Sequence, residues 1–261
     1  MLITKTHYDI PSKLDNGRPI RIYVISPNMP NYPQAKFPGV VVFSEIYQVT
    51  GPVERFAGQI ASQGYVVACP SVYHEFEGPD PIPYDTEGMN SNKRLDCCDS
   101  HNIEKEVAAY DEDATLSVDL LSSLENCNGR IAATGMCLGG HLAFRAAFDP
   151  RVLSSVCFFA TDIHGATLGK GKSDDTLIKD THVPRHGRDL IRKTLEDADV
   201  TCSFLEVQAQ HAFIRDEHSK GRWDAALTRS LFSFMMEVFE RTVGRDLGPR
   251  RVDNTAPEHV C

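Results

Sequence analysis

The stretch 130–140, RIAATGMCLGG, decides the fold. Its first part, 130–134, is a short apolar run that predicts a strand, and a helix is predicted over about 140–148. Between them lies G-x-C-x-G around Cys137, the thiol form of the G-x-S-x-G pattern, in which a strained strand-to-helix turn exposes a nucleophile. Small residues flank such a nucleophile because backbone and helix come too close for a Cβ atom. The alternative is a buried structural cysteine.

The segments on either side repeat this alternation of predicted strands and helices. An apolar run, a helical pattern and a second apolar run follow one another over 39–69, which is a βαβ unit and predicts parallel pairing. Strands are predicted at 20–26, 39–44, 65–69, 152–159 and 200–207, and helices at about 52–63, 107–124, 187–197 and 222–241. We therefore expect an α/β fold with a mostly parallel sheet and helices on both faces.

Composition limits the possible functions of the chain. It has 261 residues, 41% of them hydrophobic, and a net charge of −9. This acidic balance, with scattered basic residues, argues against nucleic acid or membrane partners. The start has no leader-like apolar region and no stretch approaches the ~18 apolar residues of a membrane helix. A cytoplasmic protein with a small-molecule substrate is expected, and the oligomeric state stays open.

Two segments break the α/β rhythm. Residues 77–106 carry Pro79, Pro81 and Pro83 without periodicity and predict a long surface excursion or lid. Residues 244–261 are polar and predict a loose tail. We expect one domain over 1–243.

Cysteine and histidine spacing gives no metal site. None of the eight cysteines forms a C-x-x-C pair, and in a cytosolic chain most should be reduced and buried. His182 and His186 are four residues apart, but Pro184 lies between them and no H-E-x-x-H pattern is present. Neither a metal nor an organic cofactor is expected.

The candidate base is His211, in the loop between the predicted strand 200–207 and the last helix. In folds with this nucleophile turn the order along the chain is nucleophile, acid, histidine, and His211 occupies the third place. An adjacent imidazole favours the thiolate form of a cysteine, which is the form that attacks. A solvated loop histidine is the alternative.

Four motifs carry a family resemblance. They are GMCLGG at 135–140, DTHVP at 180–184, QHAFIR at 210–215, and Ser44-Glu45-Ile46 after the strand 39–44. Over about residues 20–241 the chain resembles the dienelactone hydrolase (carboxymethylenebutenolidase) family of the α/β-hydrolase superfamily. The resemblance implies that Asp180 orients His211.

The resemblance also assigns residues around the nucleophile. It implies that Glu45 contacts the cysteine and helps to activate it when substrate arrives. The backbone N–H groups of Leu138 and Ile46 would bind the oxyanion. Arg215 could bind a substrate carboxylate through its fork of donors, and Tyr73 could line the pocket. The alternatives are a surface carboxylate for Glu45, a solvated Arg215 and a core position for Tyr73.

The chain departs from the family before the acid. Between Phe159 and Asp180 no apolar run predicts a strand, so a strand-bearing segment is predicted to be missing. The strand 200–207 would then lie beside 152–159 or leave a gap in the sheet. Asp180 would fall short of His211, with Asp174 or Asp175 as possible substitutes, and Arg94 is the only match for an arginine expected near 90–103.

These observations leave three hypotheses. The first is a hydrolase that opens a small ester or lactone through a Cys137 acyl-enzyme. The second is a catalytically weak or silent member that binds a small carboxylate or a partner. The third is a redox-sensing thiol, which rests on the low pKa expected for Cys137.

Overall fold

The computed structural model describes residues 1–14, 17–84, 100–102, 104–166, 168–170 and 184–244. Its strands are β1 (Ile3–Pro11), β2 (Pro19–Pro27), β3 (Phe37–Phe43), β4 (Val66–Pro70), β5 (Cys127–Met136) and β6 (Val152–Phe158). The main helices are α1 (Gly51–Ser62), α2 (His74–Glu77), α3 (Val107–Ser123), α4 (Leu138–Ala146), α5 (Arg185–Asp197) and α6 (Ala225–Phe239), which continues as a π-helical turn, Glu240–Gly244.

The six strands form one sheet in the order β1-β2-β4-β3-β5-β6. The pairs β1–β2 and β2–β4 are antiparallel, whereas β4–β3, β3–β5 and β5–β6 are parallel. Val40 of β3 stands opposite Val67 on one side and Ala132 on the other. The carboxyl ends of β3, β5 and β6 therefore meet at the same edge of the sheet, where ligand sites of α/β folds form.

Strand β3 is apolar because both faces of the sheet are covered at its position. Val40, Val41, Val42 and Phe43 are all 0% exposed. β-branched side chains of this kind suit a parallel strand buried on both faces. On one face the core contains α1 and α6, and on the other it contains α3 and α4. The predicted sheet with helices on both faces is confirmed.

A buried ionic cluster lies beside the sheet. The side chain of Lys105 is 0% exposed, and its Nζ lies 2.7 Å from Asp113 Oδ2 and 2.6 Å from Glu75 Oε1. Nζ also donates to the carbonyl of Val72 at 2.7 Å, and Nε2 of His74 lies 3.2 Å from Asp113 Oδ1. The cluster ties residue 105 to both α2 and α3.

Two strand predictions differ from the structure. Residues 200–207 are not a strand, and all eight are exposed, so the prediction of a last strand there is wrong. The segment has the apolar residues of a strand, but no described strand pairs with it, and an apolar pattern without a neighbouring strand does not make a sheet. Conversely, β1 was not predicted, because eight of its nine residues are exposed and it has no apolar face.

The described ends of the 77–106 excursion are partly buried. Ile82 is 4% exposed, Asn102 is 2% exposed and Lys105 is 1% exposed, whereas seven of the fourteen described residues of the segment are exposed. The excursion as a whole, including a lid, stays a prediction. Of the five cysteines in the described ranges, Cys69 and Cys127 are buried, Cys137 is half-buried, and Cys157 and Cys202 are exposed, so burial of most cysteines is not found among these five. None of the described helices combines the length and apolar character of a membrane span.

Candidate active site

Cys137 occupies the predicted turn between a strand and a helix. It follows the last residue of β5, precedes the first residue of α4, and has φ 59° and ψ −123°. Positive φ is uncommon for a residue with a side chain and costs on the order of 1–3 kcal/mol. Backbone hydrogen bonds hold it: its N–H donates to Phe158 O at 3.1 Å, and its carbonyl accepts from Gly140 N at 3.0 Å.

The glycines of the motif are required by close backbone approach. A Cβ at Gly139 would overlap the carbonyl oxygen of Phe43 and lie 2.5 Å from that of Ser44. A Cβ at Gly135 would lie 2.8 Å from Phe43 O, and one at Gly140 would lie 2.7 Å from Phe158 O. These neighbours are backbone atoms of strands or strand ends, which cannot move aside as a flexible side chain can.

Gly139→Ala is therefore expected to destabilise the fold by about 3 kcal/mol, in the range of severe overpacking, and to remove activity by displacing the turn. Urea unfolding measures this loss. Gly58→Ala is the matched control, because a Cβ there meets only Ile3 Cδ1 at 3.5 Å inside α1. The control should be neutral or stabilising by up to about 1 kcal/mol. Equal stability of the two variants would contradict the steric argument.

The two predicted oxyanion donors come from adjoining segments. Leu138 is the first residue of α4, where a backbone N–H has no acceptor inside the helix. Ile46 follows the end of β3 by three residues. The close approach of Gly139 to the carbonyl of Ser44 brings these two segments into contact. The structure thus brings Ile46 and Leu138 to the same edge of the sheet as Cys137.

His211 lies at this edge as well. Its ring packs edge-on against Phe159, with 5.0 Å between the ring centroids. Phe159 directly follows Phe158, the residue whose carbonyl accepts the N–H of Cys137. The loop that carries His211 is fastened to α1, because Arg55 makes two hydrogen bonds, of 2.9 and 2.6 Å, to the carboxylate of Asp216.

Glu45 and Arg215 form a buried pair. They are 4% and 7% exposed, and Nη1 of Arg215 lies 3.5 Å from Oε2 of Glu45. Burial raises the pKa of the Glu45 carboxyl, and the positive charge of Arg215 opposes this rise. The guanidinium group lies 4.7 Å from the ring centre of Tyr84 and 5.9 Å from that of Tyr47. The alternatives of a surface glutamate and a solvated arginine are therefore wrong.

Comparison with known proteins identifies the family. The model of the dienelactone hydrolase family matches residues 20–243. The chain belongs to the dienelactone hydrolase family. A Saccharomyces cerevisiae (strain ATCC 204508 / S288c) protein provisionally named carboxymethylenebutenolidase is 51% identical over 281 residues, covering 100% of both chains. The carboxymethylenebutenolidase of Pseudomonas sp. (strain P51) is 27% identical over 210 residues, covering 78% of this chain and 84% of that one.

A solved structure agrees with this membership at the level of the fold. A Klebsiella pneumoniae subsp. pneumoniae MGH 78578 protein, provisionally named dienelactone hydrolase, superposes with a TM-score of 0.68 at 19% identity. The superposition covers 92% of this chain and 100% of that chain. The protein is thus a dienelactone hydrolase family member with the α/β-hydrolase fold.

Not every predicted site residue of this dienelactone hydrolase family member is found near Cys137. Tyr73 is fully buried, with its ring 6.5 Å from Tyr110 and 5.6 Å from His101, so it occupies the core position that the sequence left open. The predicted acid Asp180 lies outside the described residues. So do its possible substitutes and two other residues considered from sequence, Asp174, Asp175, Arg94 and His182. The missing strand before the acid therefore stays a prediction.

Sequence reasoning missed the aromatic surroundings of Arg215. Tyr47 follows Glu45 by two residues, and Tyr84 lies in the excursion that showed no pattern. The hydroxyl of Tyr84 is 2.7 Å from Thr50 Oγ1, and its ring is 5.4 Å from that of His218. The only local signal in the sequence was the run YQVT at 47–50, which places an aromatic residue close to Glu45. The contact with Tyr84 depends on tertiary packing, so no local pattern indicates it. Among the described residues, no group of three or more His, Cys, Asp or Glu side chains could hold a metal ion.

His141, at the start of α4, gives the fold a pH dependence. Burial, and secondarily the charge of Arg145, lower the pKa of His141 from 6.5 to about 4. As the pH falls, the imidazole is therefore protonated near pH 6.5 in the unfolded chain, but only near pH 4 in the folded protein. The stability linked to this group is complete above pH 6.5 and is lost as the pH falls from 6.5 to 4.

His141→Gln is expected to remove about 3 kcal/mol of the fall in unfolding free energy between pH 7 and pH 4. Urea unfolding at the two pH values measures the difference. His7→Gln, at an exposed position of β1, is the control and should keep the pH dependence of the natural protein. An unchanged pH dependence in His141→Gln would contradict the assignment.

Proposed function

We propose that this protein hydrolyses a small ester or lactone of the dienelactone type through an acyl-enzyme on Cys137. The observation that carries the proposal is Cys137 held at φ 59° on the turn between β5 and α4. Two relatives named carboxymethylenebutenolidase, one of them 51% identical over the whole chain, support this substrate class. We place the activity in one domain over 1–243 of a cytoplasmic protein, with 244–261 as a tail.

In the first half-reaction His211 takes the proton of the Cys137 thiol, and the thiolate attacks the carbonyl carbon and forms a C–S bond. The electron pair of the carbonyl moves to its oxygen, which receives hydrogen bonds from the N–H groups of Ile46 and Leu138. The tetrahedral intermediate collapses by breaking the ester C–O bond. The leaving oxygen takes its proton from the His211 imidazolium, and in a lactone this oxygen remains attached to the acyl group.

In the second half-reaction a water molecule attacks the thioester carbon and gives a proton to His211. The C–S bond breaks, the carboxylic acid leaves, and the thiolate takes the proton back from His211, which restores the thiol. Asp180 is the proposed partner that fixes the tautomer of His211 and stabilises its charged form. No metal or organic cofactor takes part in these steps.

Arg215 is the proposed anchor for a carboxylate on the substrate. Within the described residues its Nε is buried without a hydrogen-bond acceptor, which favours a site made for an anion. A carboxylate bound there competes with Glu45 for the guanidinium group. Glu45, once displaced, is free to contact Cys137 and helps His211 to take the proton of the thiol. The substrate class is therefore an ester or lactone that carries its own carboxylate.

A weak or silent member is not favoured by the names of the relatives, which are those of hydrolases. The missing segment is still part of the proposal. The alignment with the Saccharomyces cerevisiae protein runs over 281 residues, 20 more than the 261 of this chain. At least 20 positions of this alignment are therefore gaps in this chain, as a deletion here or an insertion in the relative would produce. If the deletion falls before the acid, Asp174 or Asp175 takes the place of Asp180 as partner of His211.

The test is hydrolysis of dienelactone and of a p-nitrophenyl ester by the purified protein, before and after alkylation with iodoacetamide. Mass spectrometry then measures the labelled fraction of Cys137. We expect activity to fall in proportion to the labelling of this thiol. Hydrolysis that survives complete alkylation of Cys137 would end the acyl-enzyme proposal. Binding of a carboxylate by calorimetry, without any product, would support the silent alternative instead.

A further inference from the structure

Residues 45–48 form a β-turn, here called the oxyanion turn, because the backbone N–H of Gln48 donates to the carbonyl of Glu45 at 3.3 Å. Ile46 is the second residue of this turn, so the direction of its N–H depends on the conformation of the turn. Gln48 closes the turn with φ 60°, a conformation that residues with side chains rarely adopt. Such conformations persist where surrounding contacts enforce them.

The side chain of Gln48 supplies those contacts. It is 0% exposed, and its Nε2 donates both to the carbonyl of Gly78 at 3.0 Å and to that of Asp80 at 2.7 Å. Its Oε1 accepts the backbone N–H of Tyr73 at 3.2 Å. Both amide donors and the amide acceptor of a buried glutamine are therefore satisfied, and every partner is a backbone group.

The same two segments are joined by further bonds. The N–H of Ile82 donates to the carbonyl of Tyr47 at 3.0 Å, and the hydroxyls of Tyr84 and Thr50 are 2.7 Å apart. Residues 78–84, here called the wall segment, thus lie along the oxyanion turn and the two residues after it. Gln48 is the buried member that holds the wall segment and the turn together.

We propose that Gln48 is a positioning residue for the reaction, which sets the direction of the Ile46 N–H by fixing the oxyanion turn to the wall segment. The inference rests on the proposed function, because the role of Ile46 as an oxyanion donor belongs to it. Gln48 acts through Ile46 and does not itself touch the reacting atoms. The effect should therefore appear in the transition state rather than in substrate binding.

The chemistry of the amide explains why glutamine is needed here. Glutamate has the same shape but would point a carboxylate oxygen at two carbonyl oxygens, which repels both. Methionine has a similar length but offers no donor. Glycine removes the strain of the positive φ together with all three side-chain hydrogen bonds. In Gln48→Gly the side-chain hydrogen bonds are lost, while the backbone conformation at φ 60° stays accessible. This variant therefore tests the hydrogen bonds.

The test compares Gln48→Glu and Gln48→Gly with the natural protein in ester hydrolysis, in alkylation of Cys137 by iodoacetamide and in urea unfolding. Alkylation needs the thiolate but no oxyanion donor, so it reports the nucleophile alone. We expect kcat to fall about 10²-fold in both variants, as for the loss of an oxyanion donor. KM should stay within about threefold and the alkylation rate within about twofold of the natural protein.

Gln59→Glu is the matched control, because Gln59 is an exposed glutamine on α1 and should keep the natural kcat. A folded Gln48→Glu protein with unchanged kcat would overturn the inference. So would an alkylation rate that falls in step with kcat, because that indicates general disruption of the site. If Gln48→Glu does not fold, Gln48→Gly decides by the same criteria.

Hydrogen exchange keeps this inference separate from the proposed function. If the natural protein hydrolyses no ester, the proposed function fails, but exchange of the backbone amides over 44–50 is still measurable. Faster exchange there in Gln48→Gly, with the rate in α1 unchanged, would support the positioning role. Unchanged exchange over 44–50 would overturn it.

Discussion

Cys137→Ala is expected to lower kcat/KM for ester hydrolysis by at least about 10⁴-fold, as for the loss of a covalent nucleophile. Alanine keeps the Cβ atom and removes only the sulfur. The turn at φ 59° and its backbone hydrogen bonds to Phe158 and Gly140 should persist. Steady-state hydrolysis of one ester by both proteins measures the loss, and urea unfolding verifies that the folds are equally stable.

Cys202→Ala is the control for this substitution. Cys202 is a free, exposed cysteine outside the site, and its loss should leave kcat/KM within about twofold, because surface substitutions away from a site are nearly neutral. A Cys137→Ala protein that keeps more than a tenth of the activity would show that another residue is the nucleophile. Cys137→Ser adds a second comparison, because its hydroxyl ionises far less readily than a thiol and should restore little activity.

Lys105→Met is expected to lower the free energy of unfolding by about 3–5 kcal/mol, the usual cost of removing one partner from a buried ion pair. Methionine fills much of the volume of the lysine chain, so the loss comes from charge. The carboxylates of Asp113 and Glu75, both within 2.7 Å of Nζ, are left without their cation. Urea unfolding at pH 7 measures the change.

Lys193→Met is the matched control, because Lys193 is 71% exposed and, within the described part of the chain, forms its ion pair with Asp197 one helical turn away. Its loss should cost no more than about 0.5 kcal/mol. The double variant Lys105→Met/Asp113→Leu should recover part of the stability, because it removes one of the uncompensated charges. A loss below about 1 kcal/mol in Lys105→Met would show that the cluster does not depend on its cation.

The strand-to-helix turn that carries Cys137 could be predicted from sequence because its requirements are local. The glycines around Cys137 are fixed by approach to neighbouring backbone, and this constraint appears directly as G-x-C-x-G. The strands β3 and β4 could be predicted for a similar reason, since burial on both faces produces a continuous apolar run. At these positions the surroundings determine the residue type, so the sequence alone is sufficient to predict the local structure.

Other features depend on partners that are distant along the chain. The segment 200–207 has a strand-like pattern, yet it is exposed and unpaired within the described ranges, because pairing is a property of neighbours. The ion pair of Glu45 and Arg215 joins residues that are 170 positions apart. Gln48 could not be identified either, since its role arises from carbonyl groups, which every residue carries.

The positive φ of Cys137 bears on how the residue is retained in evolution. The positive φ costs free energy that glycine would not incur, so a copy of this gene without the proposed activity would relieve this strain by replacing the cysteine with glycine. Selection for folding alone works against cysteine at this position. On the proposed function, selection for the chemistry of the thiol offsets this cost.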